Sequence, residues 1–110
     1  MDEKIITEIL KFRNERGWKQ YHNPKDLAIS LSLEAAELLE NFQWSSSEEA
    51  VLKKMPSMKE ELADVMIYSV LFAEALGLDI EEIVMDKLSL NNKKYPVEKA
   101  FGKKEKYTEL

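Results

Sequence analysis

The chain has 110 residues, enough for one domain with one core and little room for a second. Its 16 basic residues against 21 acidic ones leave a net charge of −5, which disfavours a general electrostatic affinity for nucleic acid or an anionic membrane. With no Cys, disulfide scaffolds, zinc–thiolate sites, iron–sulfur clusters and thiol nucleophiles are excluded, and with only three Gly and three Pro so are collagen-like and many-turned β architectures.

Charges at Glu8, Lys11 and Arg13 occupy the place of an apolar leader, and Glu74 interrupts the apolar run from Val65 to Leu78. These features predict a cytoplasmic protein with no membrane span. Helical periodicity then runs from end to end. Ile5, Ile6, Ile9, Leu10 and Phe12 recur at spacings of three and four, predicting a first helix that ends near Gly17. A loop through Trp18 to His22 follows. Asn23-Pro24 opens a second helix to about Phe42, because Asn accepts a first-turn N–H and Pro at the first helical position loses no bond. Its apolar stripe is Leu27, Leu31, Leu38 and Phe42, with Ala35 admitting a close neighbour.

Ser46 or Ser47 is expected to cap a short helix over Glu48 to Lys54, which Pro56 stops. Ser57-Met58-Lys59-Glu60 reads as a capping box opening a fourth, strongly apolar helix to Leu76, with Gly77 as its C-terminal cap. Asp79, followed three residues later by Glu82, opens a fifth helix to about Asn92, and Pro96 prevents its extension. The tail after Val97 is lysine-rich with few anchors. The expectation is a single all-α domain over residues 1–110. It is an antiparallel bundle of four main helices plus one short helix, with the two most apolar helices as the central pair.

Those two helices also carry paired carboxylates. Glu34 and Glu37 lie three apart on the second helix, and Glu61 and Asp64 repeat the spacing on the fourth, so each pair projects from one face. Converging carboxylates repel, and burying them unpaired costs several kcal/mol each, so they require protons, cationic partners or a metal. All-oxygen ligation suits Mg²⁺ or Mn²⁺ better than zinc or copper. A di-iron bundle needs a Glu-x-x-His motif on each of two helices, and His22 is the only histidine. Spacing alone leaves open an ordinary solvated face.

Four segments carry a family resemblance: Trp18-Lys19-Gln20-Tyr21-His22-Asn23-Pro24, EAAELLENFQW from Glu34 to Trp44, EELADVMIY from Glu60 to Tyr68, and Lys87 with Asn91 and Tyr95-Pro96-Val97. Together they resemble the MazG-like all-α nucleoside triphosphate pyrophosphohydrolases, most nearly the dCTP pyrophosphatase branch. The resemblance implies cleavage of a deoxynucleoside triphosphate to the monophosphate and pyrophosphate. It implies Mg²⁺ ligands at Glu34, Glu37, Glu61 and Asp64, and metal-activated water attacking the α-phosphorus. It further implies base and sugar contacts at Trp18, Trp44 and Tyr68, phosphate contacts at Lys87, Asn91 and Tyr95, and assembly as a homo-oligomer, dimer or tetramer. Glu40 and Glu60 are candidates for supporting the ligands, and His22 reads as a loop-packing residue.

One departure is that Ile9 stands where the dCTP branch carries a histidine near the base pocket, which bears on base preference. Arg13 and Arg16 are the only arginines, so phosphate charge falls to lysines and Mg²⁺ rather than to several Arg forks. The alternatives are a non-enzymatic helical dimerisation module, in which the carboxylates form a solvated face, and the same fold acting on dUTP or phosphoribosyl-ATP.

Overall fold

The computed structural model describes all 110 residues and contains helices and no strand. Asp2 opens α1 (Glu3–Glu15) by accepting the Lys4 N–H at 2.9 Å. Gly17 then ends it at φ +66, a left-handed conformation that costs glycine little. The predicted loop is a tight 3₁₀ turn, Trp18–Tyr21. At the start of α2 (Pro24–Glu40), Asn23 accepts the Asp26 N–H at 2.9 Å while its Nδ2 donates to the Asp26 carboxylate at 2.7 Å. This helix stops two residues before Phe42. Asn41, almost fully buried, turns its side chain back to donate to the Leu38 carbonyl at 3.2 Å.

The next element, α3 (Ser47–Ala75), is two helical segments that meet at a kink at Lys54 (φ −122, ψ 21), the residue at which the sequence reading ends its short helix. The break falls before Pro56. The helix restarts immediately after Lys54, which puts Pro56 in a first turn where its missing N–H removes no bond. Ser57 and Glu60 therefore lie inside the helix and not at its start, so the capping box is not formed. The true cap is Ser46, which accepts the Glu49 N–H at 3.2 Å. At the far end Gly77 (φ +67) completes a Schellman turn, with Leu78 N–H donating to the Ala73 carbonyl at 2.9 Å and Gly77 N–H to the Glu74 carbonyl at 3.1 Å.

The chain divides into two compact units, Met1–Leu78 and Asp79–Leu110. In the first, α2 packs along α3 and α1 packs on α3. Glu40 shares a cavity wall with Ser57, and Glu34 shares another with Asp64, so α2 and α3 run antiparallel. The core is small: Leu27, Ala50, Met58, Val70, Leu71 and Ala73. On α1 the inward stripe is Ile6, Ile9, Leu10 and Arg13, whereas Ile5 and Phe12, read from sequence as part of that face, are half exposed. Ala35 is exposed as well.

In the second unit, Asp79 caps α4 (Ile80–Lys94) by accepting the Glu82 N–H at 3.1 Å, and the helix runs two residues past Asn92. The tail finds more anchors than its composition suggests. It forms α5 (Val97–Ala100) and a 3₁₀ turn, Tyr107–Glu109, whose Tyr107 ring meets Tyr95 edge-on at 6.0 Å. No helix is long and apolar enough to cross a membrane.

The paired bonds at Asn23 fix where α2 begins, and α2 carries half of the acidic cluster described below. Asn23→Ala is expected to lower stability by about 1 kcal/mol, read as a lower urea midpoint at unchanged slope.

Candidate functional site

The antiparallel crossing of α2 and α3 brings the two carboxylate pairs together. Oxygens of Glu34, Glu61 and Asp64 lie within 4.8 Å of one another, and the three residues are half-buried. Glu37, more exposed, acts electrostatically on both Glu61 and Glu34. None of the four is ion-paired to a lysine or arginine; the nearby Lys53 is held by Glu49 at 2.7 Å.

This crowding shows in the acidities. Burial, then the hydrogen bond and charge of Glu37 and the charge of Asp64, push the Glu34 carboxyl above its usual range. The Glu37 hydrogen bond, then burial and the charges of Glu37, Glu34 and Asp64, push Glu61 up to about 7. Glu34 Oε2 and Glu61 Oε2 are shut off from solvent without a hydrogen-bond partner. Orphaned carboxylate oxygens aimed at one another in a cation-free cluster fit a divalent cation with all-oxygen ligation.

The cluster stands between two cavities. A large one, of about 1340 Å³, is lined by Glu34 and Asp64, by Ile9, Phe12, Trp18, Ile67, Tyr68 and Leu71, and by charged residues of α1, among them Lys4, Glu8, Lys11 and Arg16. A smaller one, of about 620 Å³, is lined by Glu37 and Glu61 together with Lys53, Lys54 and Ser57. Aromatic and aliphatic walls next to a cluster that can hold a cation suit a ligand with an apolar planar part and an anionic part.

Of the residues singled out from sequence, Trp18 and Tyr68 line the large cavity with Glu34 and Asp64. Trp44 lines neither cavity. It is 92% exposed at φ +65, the one residue other than glycine with a positive φ. A core-packing role for Trp44 is thereby ruled out in this chain. Lys87, Asn91 and Tyr95 belong to the second unit, where Lys87 and Asn91 lie on α4 and Tyr95 closes it, donating its N–H to the Asn91 carbonyl at 2.8 Å. Glu40 lines the smaller cavity, and Glu60 is exposed. Ile9 lines the large cavity as well.

Two further polar residues sit on that cavity. The His22 Nδ1 is shut off from solvent without a partner, and burial followed by the charge of Arg13 pulls the imidazole below its usual pKa. Arg13 itself is 5% exposed. Its signal was present in the sequence, since Arg13 continues the 6, 9, 10 spacing of the α1 stripe.

A model of the MazG-like family matches residues 29–110. The chain belongs to the MazG-like family. It is 38% identical over 105 residues to dCTP pyrophosphatase 1 of Mus musculus and 36% identical to that of Homo sapiens, matches that take in 91% of the chain. The chain spans 62% of the length of these relatives. A crystal structure of a pyrophosphatase from Archaeoglobus fulgidus superposes with a TM-score of 0.81 at 41% identity, covering 86% of this chain and 91% of that one. The acidic helix crossing therefore sits in a MazG-like helical fold, with Glu34, Glu37, Glu61 and Asp64 all inside the matched region.

The raised Glu61 acidity gives a stability profile. Between pH 4.5 and about 7 the folded metal-free protein holds a proton that the unfolded chain has lost, so this contribution is full below pH 4.5 and disappears as pH rises through 7. Thermal midpoints without divalent cation are expected to fall from pH 5 to pH 8. Mg²⁺ should raise the midpoint more at pH 8 than at pH 6, since protons compete for the same oxygens. Glu61→Gln should flatten the first trend and remove the second.

Proposed function

We propose that this protein is an Mg²⁺-dependent nucleoside triphosphate pyrophosphohydrolase, cleaving a deoxynucleoside triphosphate of the dCTP type to the monophosphate and pyrophosphate. The observation that carries the reading is the meeting of Glu34, Glu61 and Asp64 within 4.8 Å beside an aromatic-walled cavity. The MazG-like membership and the pyrophosphatase relatives support it.

In this reading Glu34, Glu37, Glu61 and Asp64 hold Mg²⁺, or Mn²⁺ in its place. When bound, the metal neutralises the triphosphate and lowers the pKa of the water that attacks the α-phosphorus. The chain supplies the rest. Glu34 and Asp64 belong both to the cluster and to the large cavity, so they set the distance between the phosphates and the nucleoside. Trp18 and Tyr68 form walls on which base and sugar rest, and base–aromatic stacking is worth about 1 to 3 kcal/mol. No nucleophilic side chain is required, because water takes that role. Lys87, Asn91 and Tyr95 are assigned to the phosphates and Trp44 to the base, on the strength of their match to the family's motifs.

The same proposal includes a homo-oligomer, dimer or tetramer, in the cytoplasm. It is supported by the exposure of Leu33 (59%) on α2 and of Leu62 (53%) and Met66 (45%) on α3, apolar side chains on the helices that carry the acidic cluster. A complete exposure of Trp44 on a lone chain supports a partner surface at that position too, since exposing an indole to water is unfavourable.

Hydrolysis of a nucleotide panel in ¹⁸O-labelled water tests the reaction. The expected outcome is label in the monophosphate and unlabelled pyrophosphate, whereas orthophosphate as first product would contradict attack at the α-phosphorus. Including dUTP and phosphoribosyl-ATP in the panel assigns the substrate. Glu37→Gln and Asp64→Asn should each abolish turnover with helical circular dichroism intact, and full activity in either removes that residue from the site.

The tryptophans separate by a second measurement. Trp18→Leu is expected to raise KM about tenfold or more with a modest change in thermal midpoint. Trp44→Leu should leave the midpoint of dilute, monomeric protein unchanged, because Trp44 buries almost nothing within one chain. A KM equal to wild type for Trp44→Leu returns Trp44 to a surface role.

A further inference from the structure

Arg13 is charged, 5% exposed, and without an acidic partner. Of its five N–H donors the Nε–H goes to Asn14 Oδ1 at 2.9 Å. Arg16, one turn on, is differently placed: its guanidinium lies 3.6 Å from the Phe12 ring centroid, and Nη1 donates to the Phe12 carbonyl at 3.0 Å. A buried guanidinium with no counter-charge is costly to keep, and the cost is offset when a ligand supplies acceptors.

The position of Arg13 says which part of a ligand it meets. It lines the large cavity with Trp18 and His22, and its charge acts on the His22 imidazole. The Trp18 ring, on the same cavity, lies 6.5 Å from the His22 ring. Arg13 therefore stands with the ring proposed above to carry the base, and it forms no ion pair with the acidic cluster. A nucleotide whose phosphates are held at that cluster presents its base to Arg13.

We propose that Arg13 is a specificity-determining residue whose guanidinium fork donates to two adjacent acceptors of the bound base, a carbonyl oxygen and a ring nitrogen. The inference rests on the nucleotide reading of the cavity and deepens it. Arginine donates and never accepts, and its planar fork matches two neighbouring acceptors. Cytosine offers such a pair in O2 and N3, and guanine offers one in O6 and N7. In thymine and uracil the nitrogen between the carbonyls carries a hydrogen, and adenine has no carbonyl. The other cations on this cavity, Lys4, Lys11 and Arg16, are exposed to solvent, so Arg13 is the one buried cation among walls that include the apolar Ile9, Phe12, Ile67 and Leu71.

The test is calorimetric titration of the full chain with dCMP, dGMP, dTMP and dAMP, which share one phosphate group and need no turnover. Arg13→Met, of similar length and uncharged, is expected to weaken dCMP and dGMP about tenfold or more and to leave dTMP and dAMP within about threefold. Its thermal midpoint without ligand should equal or exceed wild type, because a buried charge has gone. Arg13→Lys keeps the charge and loses the fork, so it should show the same selective weakening, and it decides the matter if the Met variant does not fold. Equal weakening of all four monophosphates would mean a phosphate or sugar contact and overturn the proposal. Unchanged affinities with a lowered midpoint would make Arg13 structural and overturn it as well. Failure of the wild type to release pyrophosphate from any triphosphate overturns the proposed function, and the monophosphate titration still decides Arg13.

Discussion

Carboxylates that share a half-buried spot without a cation raise one another's pKa, and the fold of this protein forces that situation. Glu34 and Glu37 project from α2, Glu61 and Asp64 from α3, and the antiparallel packing of these helices aligns the two i, i+3 pairs. Sliding one helix by a turn, about 5.4 Å, would separate the pairs. The register is held instead by the burial of Leu27 on α2 and of Met58 and Leu71 on α3, so packing energy pays for the repulsion. The cluster is thus poised: stable enough to form with shared protons, and relieved of its repulsion when a divalent cation replaces them.

The local rules of helix starts and stops made much of this legible in the sequence. Asn23-Pro24, Asp79 with Glu82, Gly17 and Gly77 act through bonds within a few residues, and each appears where the sequence places it. The break inside α3 was legible, but the start of the second segment was not, because Pro56 satisfies two rules at once. It breaks a helix interior and it starts a helix, and the kink at Lys54 leaves it in a first turn. Trp44 carries no local signal for φ +65, since a bulky side chain is disfavoured there. Arg13 carried a positional signal that its charge masked: the same i, i+3, i+4 stripe that marks Ile6, Ile9 and Leu10 as inward includes it, yet a charged residue on an amphipathic helix is read as solvated.

The acidic pairs were legible as a spacing and not as a site. An i, i+3 Glu pair is common on exposed helix faces, and the spacing does not say which face meets a neighbour. What changes the reading is that oxygens from both helices are shut off from water and left without partners. The positions of Lys87, Asn91 and Tyr95 are legible only within α4, as a common face of one helix in the second unit.

Electrostatics then connect the cluster to the choice of ligand. A chain of net charge −5 repels a triphosphate at long range, and its acidic cluster repels it most strongly at short range. In the proposed reading, apolar contact with Trp18 and Tyr68 would draw in a base but do nothing for the phosphates. A cation at the cluster would reverse the sign of the local field, and under the proposed function metal occupancy and nucleotide affinity would then be linked quantities, each raising the other. Because Glu34 and Asp64 belong to both the cluster and the cavity wall, that linkage needs no conformational relay. Under the proposed function, the carboxylates that would hold the charge are the same groups that would fix where the nucleoside begins.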